Sequence, residues 1–202
     1  MKCMVLREMP LGEADKLLTV LSEEEGRISV VAKGAKKPSS RFLAAASVFA
    51  VSDMELVKGK SMYILRNANL IKSFYGLRED LDKLETASRM VRAVLKVIQE
   101  GLPDPETLEL TERALTLLED GRRSLKLVEG AFLVRLMSIQ GLVGDSGAVF
   151  AGEAGSMRPG TLEAFDYICG AEEERVFAFR VAPETEEELC DRSETLFRQL
   201  VE

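Results

Sequence analysis

Arg27-Ile28-Ser29-Val30-Val31-Ala32 alternates cleanly, with Ile28 and Val30 on one side and Ser29 and Val31 on the other. That is the period of a β-strand, whose successive side chains point to opposite faces. The strand runs straight into Lys33-Gly34-Ala35-Lys36-Lys37-Pro38-Ser39-Ser40-Arg41. Glycine, proline and two serines make this a loop. Between Arg27 and Arg41 stand five basic residues and no acidic one. A short strand feeding a basic loop sets the reading of the first 75 residues.

Upstream, the apolar opening Cys3–Arg7 and the run Leu17-Leu18-Thr19-Val20-Leu21 read as two further strands. Polar breaks at Leu11–Asp15 and Glu23–Gly26 end them. Downstream, Val48–Val57 and Met62–Leu65 are strands joined by the hairpin turn Lys58-Gly59-Lys60-Ser61, and Leu70–Tyr75 is a candidate sixth. Five or six short strands with closely spaced turns fit a small barrel or sandwich.

From Leu77 onward the period becomes helical. Leu81, Leu84, Ala87, Val91, Val94, Leu95 and Ile98 recur at spacings of three and four, up to a stop at Gly101. Asp104-Pro105 opens a second helix with the face Leu108, Thr111, Leu115 and Leu118. Leu125, Val128, Phe132, Leu136, Ile139 and Val143 mark a third, the most apolar and so the expected centre of a helical domain. A short helix over Thr161–Ile168 follows. Thr185-Glu186-Glu187-Glu188 reads as a capping box that opens a final helix. The segment Gly141–Gly160 holds six glycines and two serines and reads as a loop. The expected division is a β-domain over residues 1–77 and a helical domain over residues 78–202, with 141–160 a glycine-rich loop.

Composition narrows the function. The chain has 202 residues, 46% hydrophobic and 30% charged, and no histidine. A Ser-His-Asp triad, a Cys-His dyad, an HExxH zinc site and a histidine base are thereby excluded. Cys3, Cys169 and Cys190 form no CxxC, which argues for three buried thiols in a reducing cytoplasm. No Walker A loop and no GxGxxG occurs. Glu23–Glu25, Glu172–Glu174 and Glu186–Glu188 read as solvated surface, not metal sites. No run approaches a membrane span, and the opening apolar run is too short for a signal peptide. The expectation is a cytoplasmic protein that is not an enzyme and needs no cofactor or metal.

The net charge of −7 divides unevenly. Residues 1–80 hold 13 Lys/Arg against 10 Asp/Glu, a net of +3, and the rest hold 14 against 24, a net of −10. A basic β-domain suits a nucleic-acid backbone. The candidate phosphate contacts are Lys33, Lys36, Lys37 and Arg41 on one loop, with Arg27, Lys58, Lys60 and Arg66 lining the approach. An ordinary solvated loop uses the same letters. Candidates for base stacking are Phe42, Phe49, Tyr63, Phe74 and Tyr75, although Phe49 and Phe74 sit among apolar neighbours that read as core.

Several stretches carry a resemblance. They are Gly12-Glu13-Ala14-Asp15-Lys16-Leu17-Leu18-Thr19-Val20-Leu21, Val31-Ala32-Lys33-Gly34-Ala35-Lys36-Lys37, Phe74-Tyr75-Gly76-Leu77-Arg78-Glu79-Asp80-Leu81, and Leu136-Met137-Ser138-Ile139-Gln140-Gly141. Together they resemble RecO, the bacterial recombination mediator and DNA-repair family. The resemblance implies an α+β protein: an N-terminal OB-fold barrel followed by an all-helical C-terminal domain. It implies binding of single- and double-stranded DNA and annealing of complementary strands. It further implies loading of RecA, together with RecR, onto DNA coated by single-strand-binding protein. Protein partners would be RecR and the tail of single-strand-binding protein, with RecA engaged indirectly. The place would be the cytoplasm, on the nucleoid during repair. Many members carry a four-cysteine zinc module after the long central helix; here Gly141–Gly160 stands there with no cysteine, so no metal is expected. For the acidic tail, Arg89, Arg92 and Arg135 are candidate contacts. The alternative is a protein-binding adaptor of the same fold with little DNA affinity; a carboxylate-metal nuclease is a distant third.

Overall fold

The computed structural model describes residues 1–143 and 157–201. Five strands come first: β1 (Lys2–Leu11), β2 (Asp15–Ser22), β3 (Gly26–Ala32), β4 (Val51–Lys58) and β5 (Tyr63–Lys72). Five helices follow: α1 (Leu81–Val97), α2 (Pro105–Asp120), α3 (Leu125–Ile139), α4 (Pro159–Gly170) and α5 (Pro183–Val201). No helix among the described residues is long and apolar enough to cross a membrane.

The strands close a barrel in the order β1-β2-β3-β5-β4, the OB-fold arrangement. β1, β2 and β3 form an antiparallel meander, and β4 pairs antiparallel with both β5 and β1. β3 and β5 are parallel and meet only at Val30↔Tyr63 and Val31↔Ile64. The alternation in β3 is realised: Ile28, Val30 and Ala32 are buried and Arg27, Ser29 and Val31 are half-buried on the other face. The expected sixth strand is instead the end of β5, which runs to Lys72. Phe74 then takes a positive φ of 52° and Tyr75–Glu79 forms a 3-10 turn, so no further strand forms.

Cys3, Val5, Leu18, Val20, Ile28, Val30, Met54 and Leu65 fill the barrel. Ala35, Phe42 and Ala46, from the connection between β3 and β4, join the same core. That connection therefore stoppers the barrel, and its apolar residues fix where its lysines stand.

The chain divides into two compact units. One is Met1–Arg78 with Ile98–Glu112, the other Glu79–Val97 with Arg113–Glu202. Residues after α1 thus return to the barrel unit. Gln99 accepts the Arg27 N–H at 3.3 Å, the Gly101 N–H donates to the Arg27 carbonyl at 3.3 Å, and Lys2 pairs with Glu112 at 2.6 Å. Gly26 has φ +63°, and a Cβ there would lie 1.8 Å from the Leu102 carbonyl oxygen. Only glycine fits that approach.

In the helical unit α3 is buried almost all round, with Leu127 through Val134, Leu136 and Met137 inside. It is the expected centre. α5 crosses it closely, since a Cβ on Gly130 would meet Leu189 Cγ at 3.0 Å and Cys190 N at 3.1 Å. On α1 the expected apolar face is corrected at its start: Leu81 is exposed, while Met90 and Ala93 join Ala87, Val91 and Val94 inside. The expected capping box is also corrected. α5 begins three residues earlier, at Pro183, and Thr185 is buried in its first turn. Glu188 serves another helix, accepting from the Arg158 N–H at 3.1 Å and from the Thr161 hydroxyl at the start of α4. Those bonds hold its carboxyl below the usual range. Most of the segment 141–160 lies outside the described residues.

Candidate nucleic-acid interface

The basic loop is held at several points. Gly34 adopts φ +69°, which lets the chain reverse after β3, and its N–H donates to Asp15 Oδ1 at 2.7 Å. The Lys36 N–H donates to the Ala14 carbonyl at 2.9 Å, and Lys36 Nζ reaches the Gly12 carbonyl at 3.2 Å. Phe42 enters the core. Beside it, the Arg41 guanidinium lies 4.6 Å from the Phe42 ring centroid and donates to the Arg66 carbonyl at 2.7 Å. Lys36 and Arg41 thus stand at opposite ends of a loop tied to the β1–β2 turn and to β5. Pre-ordering reduces the entropy a ligand must remove on binding. Gly34→Ala should strain this reversal by about 1 kcal/mol, lowering the melting temperature by a few degrees and weakening any ligand of the loop.

Lys33, Lys36, Lys37, Arg41 and Arg66 gather around this end of the barrel. Lys33 follows β3 directly; continuing the parallel register by two residues sets it level with Arg66. Lys58 and Lys60 form a second group at the β4–β5 turn, with Lys58 Nζ 5.9 Å from the Tyr63 ring. All seven are exposed, and none pairs with a carboxylate among the described residues. The turns after β1 and β4 flank the β2–β3 face, the surface on which OB-folds bind oligonucleotides.

Arg27 stands apart from this group. It sits at the start of β3, half-buried, where Gln99 and Gly101 hold its backbone. Arg7 was not among the sequence candidates, yet it shares the outer face: it is exposed and pairs with Thr19, which pairs with Ser29. A period of two from Cys3 and Val5 would turn Arg7 inward. A bulge at Leu6 turns it out.

The aromatics divide sharply. Phe42, Phe49 and Phe74 are buried and cannot stack on bases. For Phe42 this corrects the sequence reading: the ring stoppers the barrel. Tyr63 is half-buried, and Tyr75 is 64% exposed. The face is therefore rich in phosphate partners and poor in stacking partners.

The helical unit carries a separate groove of about 320 Å³. Ala93, Leu133 and Phe197 give it apolar walls, and Arg89, Arg92, Lys96 and Arg198 surround it. The Arg89 guanidinium is bound bidentately by the buried Glu129 carboxylate, at 2.6 Å and 2.5 Å, and also meets Glu85 and Thr86. Arg198 pairs with Glu194 at 3.5 Å. Arg92 is exposed and has no ion-pair partner among the described residues. Arg135 is not at the groove; it donates to the Cys169 carbonyl at 2.8 Å, at the end of α4. Glu129, Cys190 and Glu194 bring ligand atoms within 4.8 Å of one another. Arg89 already occupies Glu129, and burial pushes the Cys190 thiol up to about 12, away from the thiolate that metals bind.

Two family models match the chain: Recombination protein O N terminal over residues 1–74, and Recombination protein O C terminal over residues 78–143. The DNA repair protein RecO of Acetivibrio thermocellus is 37% identical over 137 residues, covering 68% of this chain and 55% of that protein. The DNA repair protein RecO of Rubrobacter xylanophilus is 35% identical over 137 residues, with the same two shares. The chain thus spans about half the length of the curated relatives it matches.

Proposed function

The chain belongs to the recombination protein O family, and on that premise we propose that it acts in DNA repair as a recombination mediator that binds single- and double-stranded DNA. The observation that carries this reading is the set of seven exposed cations on the β3–β4 connection, on β5 and at the β4–β5 turn, none of them paired with a carboxylate among the described residues. Lysine and arginine neutralise phosphates, and release of counterions drives the binding. A face with few available aromatics reads backbone more than bases, so one surface accepts either kind of DNA. Holding two strands' phosphates together lowers the repulsion that opposes annealing. No bond is made or broken. In the cell this activity would support RecA loading, with RecR, on DNA coated by single-strand-binding protein, in the cytoplasm and on the nucleoid during repair.

The test is binding of a fluorescent single-stranded oligonucleotide at several salt concentrations, followed by annealing of its complement. Binding that weakens steeply with salt supports the reading. Absence of binding at low salt overturns it. Labelled DNA incubated with Mg²⁺ should stay uncut.

The alternative is a protein adaptor with little DNA affinity, and the groove in the helical unit favours a protein contact in either case. Cationic edges over apolar walls suit an acidic peptide with an apolar residue, and the family resemblance implies an acidic partner in the single-strand-binding protein tail. Arg92→Ala should weaken such a peptide roughly fivefold to tenfold without changing the melting temperature, measured by anisotropy and thermal denaturation.

A further inference from the structure

The groove's cations are not equally available. Arg89 is committed to Glu129, a residue only 3% exposed, so its charge belongs to the fold. Arg198 is different: it is 61% exposed, and its partner Glu194 lies one turn earlier on α5. Glu194 also lines the groove and has a carboxylate oxygen within 4.8 Å of one from Glu129. Arg89 offsets the Glu129 charge, and the Cys190 thiol donates to Glu194 Oε1 at 4.0 Å, so Glu194 holds Arg198 by one exposed contact at 3.5 Å. The geometry points to Glu194 as a built-in competitor: its carboxylate occupies Arg198, and an acidic peptide entering the groove displaces it. Binding is then an exchange of one carboxylate for another on Arg198, while Arg92 supplies a contact with nothing to displace. Glu194 sets the affinity by holding it down. This rests on the groove taking an acidic peptide, as proposed above.

The experiment uses the full chain and a fluorescein-labelled, aspartate-rich peptide carrying one leucine, with a control peptide whose aspartates are asparagine. Glu194→Gln keeps the size and removes the charge. It should tighten the acidic peptide roughly twofold at low salt, the scale of one exposed i,i+4 ion pair, and leave the control unchanged. The gain should vanish when Arg198→Ala is added, because the competition runs through that guanidinium. Glu194→Gln without effect, or with an equal gain in the Arg198→Ala background, overturns the competitor role while the groove reading stands. No peptide binding by the wild type or any variant overturns the groove reading and this proposal with it. A Glu194→Gln chain with lowered thermal stability would place the carboxylate in the fold and also count against competition.

Discussion

Lys36→Glu with Lys37→Glu should weaken single-stranded DNA binding on the order of a hundredfold at low salt and flatten its salt dependence. If Lys33, Lys36, Lys37, Arg41 and Arg66 each neutralise one phosphate, the slope of log affinity against log salt is roughly −3.5 for a single strand. Removing two of the five lowers it to roughly −2, and the reversed charges add repulsion. The fold should survive, because both side chains are exposed and the one bond made by Lys36 Nζ goes to a turn carbonyl. Circular dichroism and an unchanged melting temperature would establish that. Binding equal to wild type across a salt titration would move the interface off this loop, and Arg7 with Lys58 and Lys60 would be the next residues to reverse.

Arg89→Met should cost about 3 kcal/mol or more of stability in the helical unit, and Arg89→Met combined with Glu129→Leu should recover most of it. The reason is the asymmetry of a buried pair. Glu129 is a buried residue of α3, and the Arg89 fork supplies its two hydrogen bonds. Removing the arginine leaves a buried carboxylate without its partner and close to the Glu194 carboxylate. Removing both replaces the pair with apolar groups that suit the same space. Denaturant melts of the two variants decide it. A single variant as stable as wild type would show that Glu129 finds another partner or water. A double variant no better than the single would show that the site needs the arginine stem for packing.

Much of this protein is legible residue by residue. β3 follows directly from Arg27–Ala32, because period-two alternation is a local property of the strand. α3 follows from its unbroken apolar run. The basic loop is legible as composition. Other features fail at points where the cause lies elsewhere in the chain. Arg7 faces outward because of one bulge residue, and no periodicity announces a bulge. Phe42 looks like a stacking candidate from its basic neighbours, yet the open end of the barrel takes it. Glu188 has the letters of a cap for its own helix and caps α4 instead. Arg89, Arg92 and Arg135 look alike as letters, but their fates are an ion pair, an open contact and a helix end.

Residue types and short spacings are enough to read β3, α3, the change from strand to helix period near Leu77, the sign of charge in each half, and the absence of histidine chemistry. Each is a property of residue types and short spacings, set before the chain folds. It takes the folded chain to show which cations share a surface, which aromatics remain available, that Ile98–Glu112 belongs with the barrel unit, and that Glu129 and Glu194 lie beside the groove's arginines. Those outcomes depend on barrel register and helix packing between residues far apart in the chain, where burial and pairing assign different roles to identical side chains.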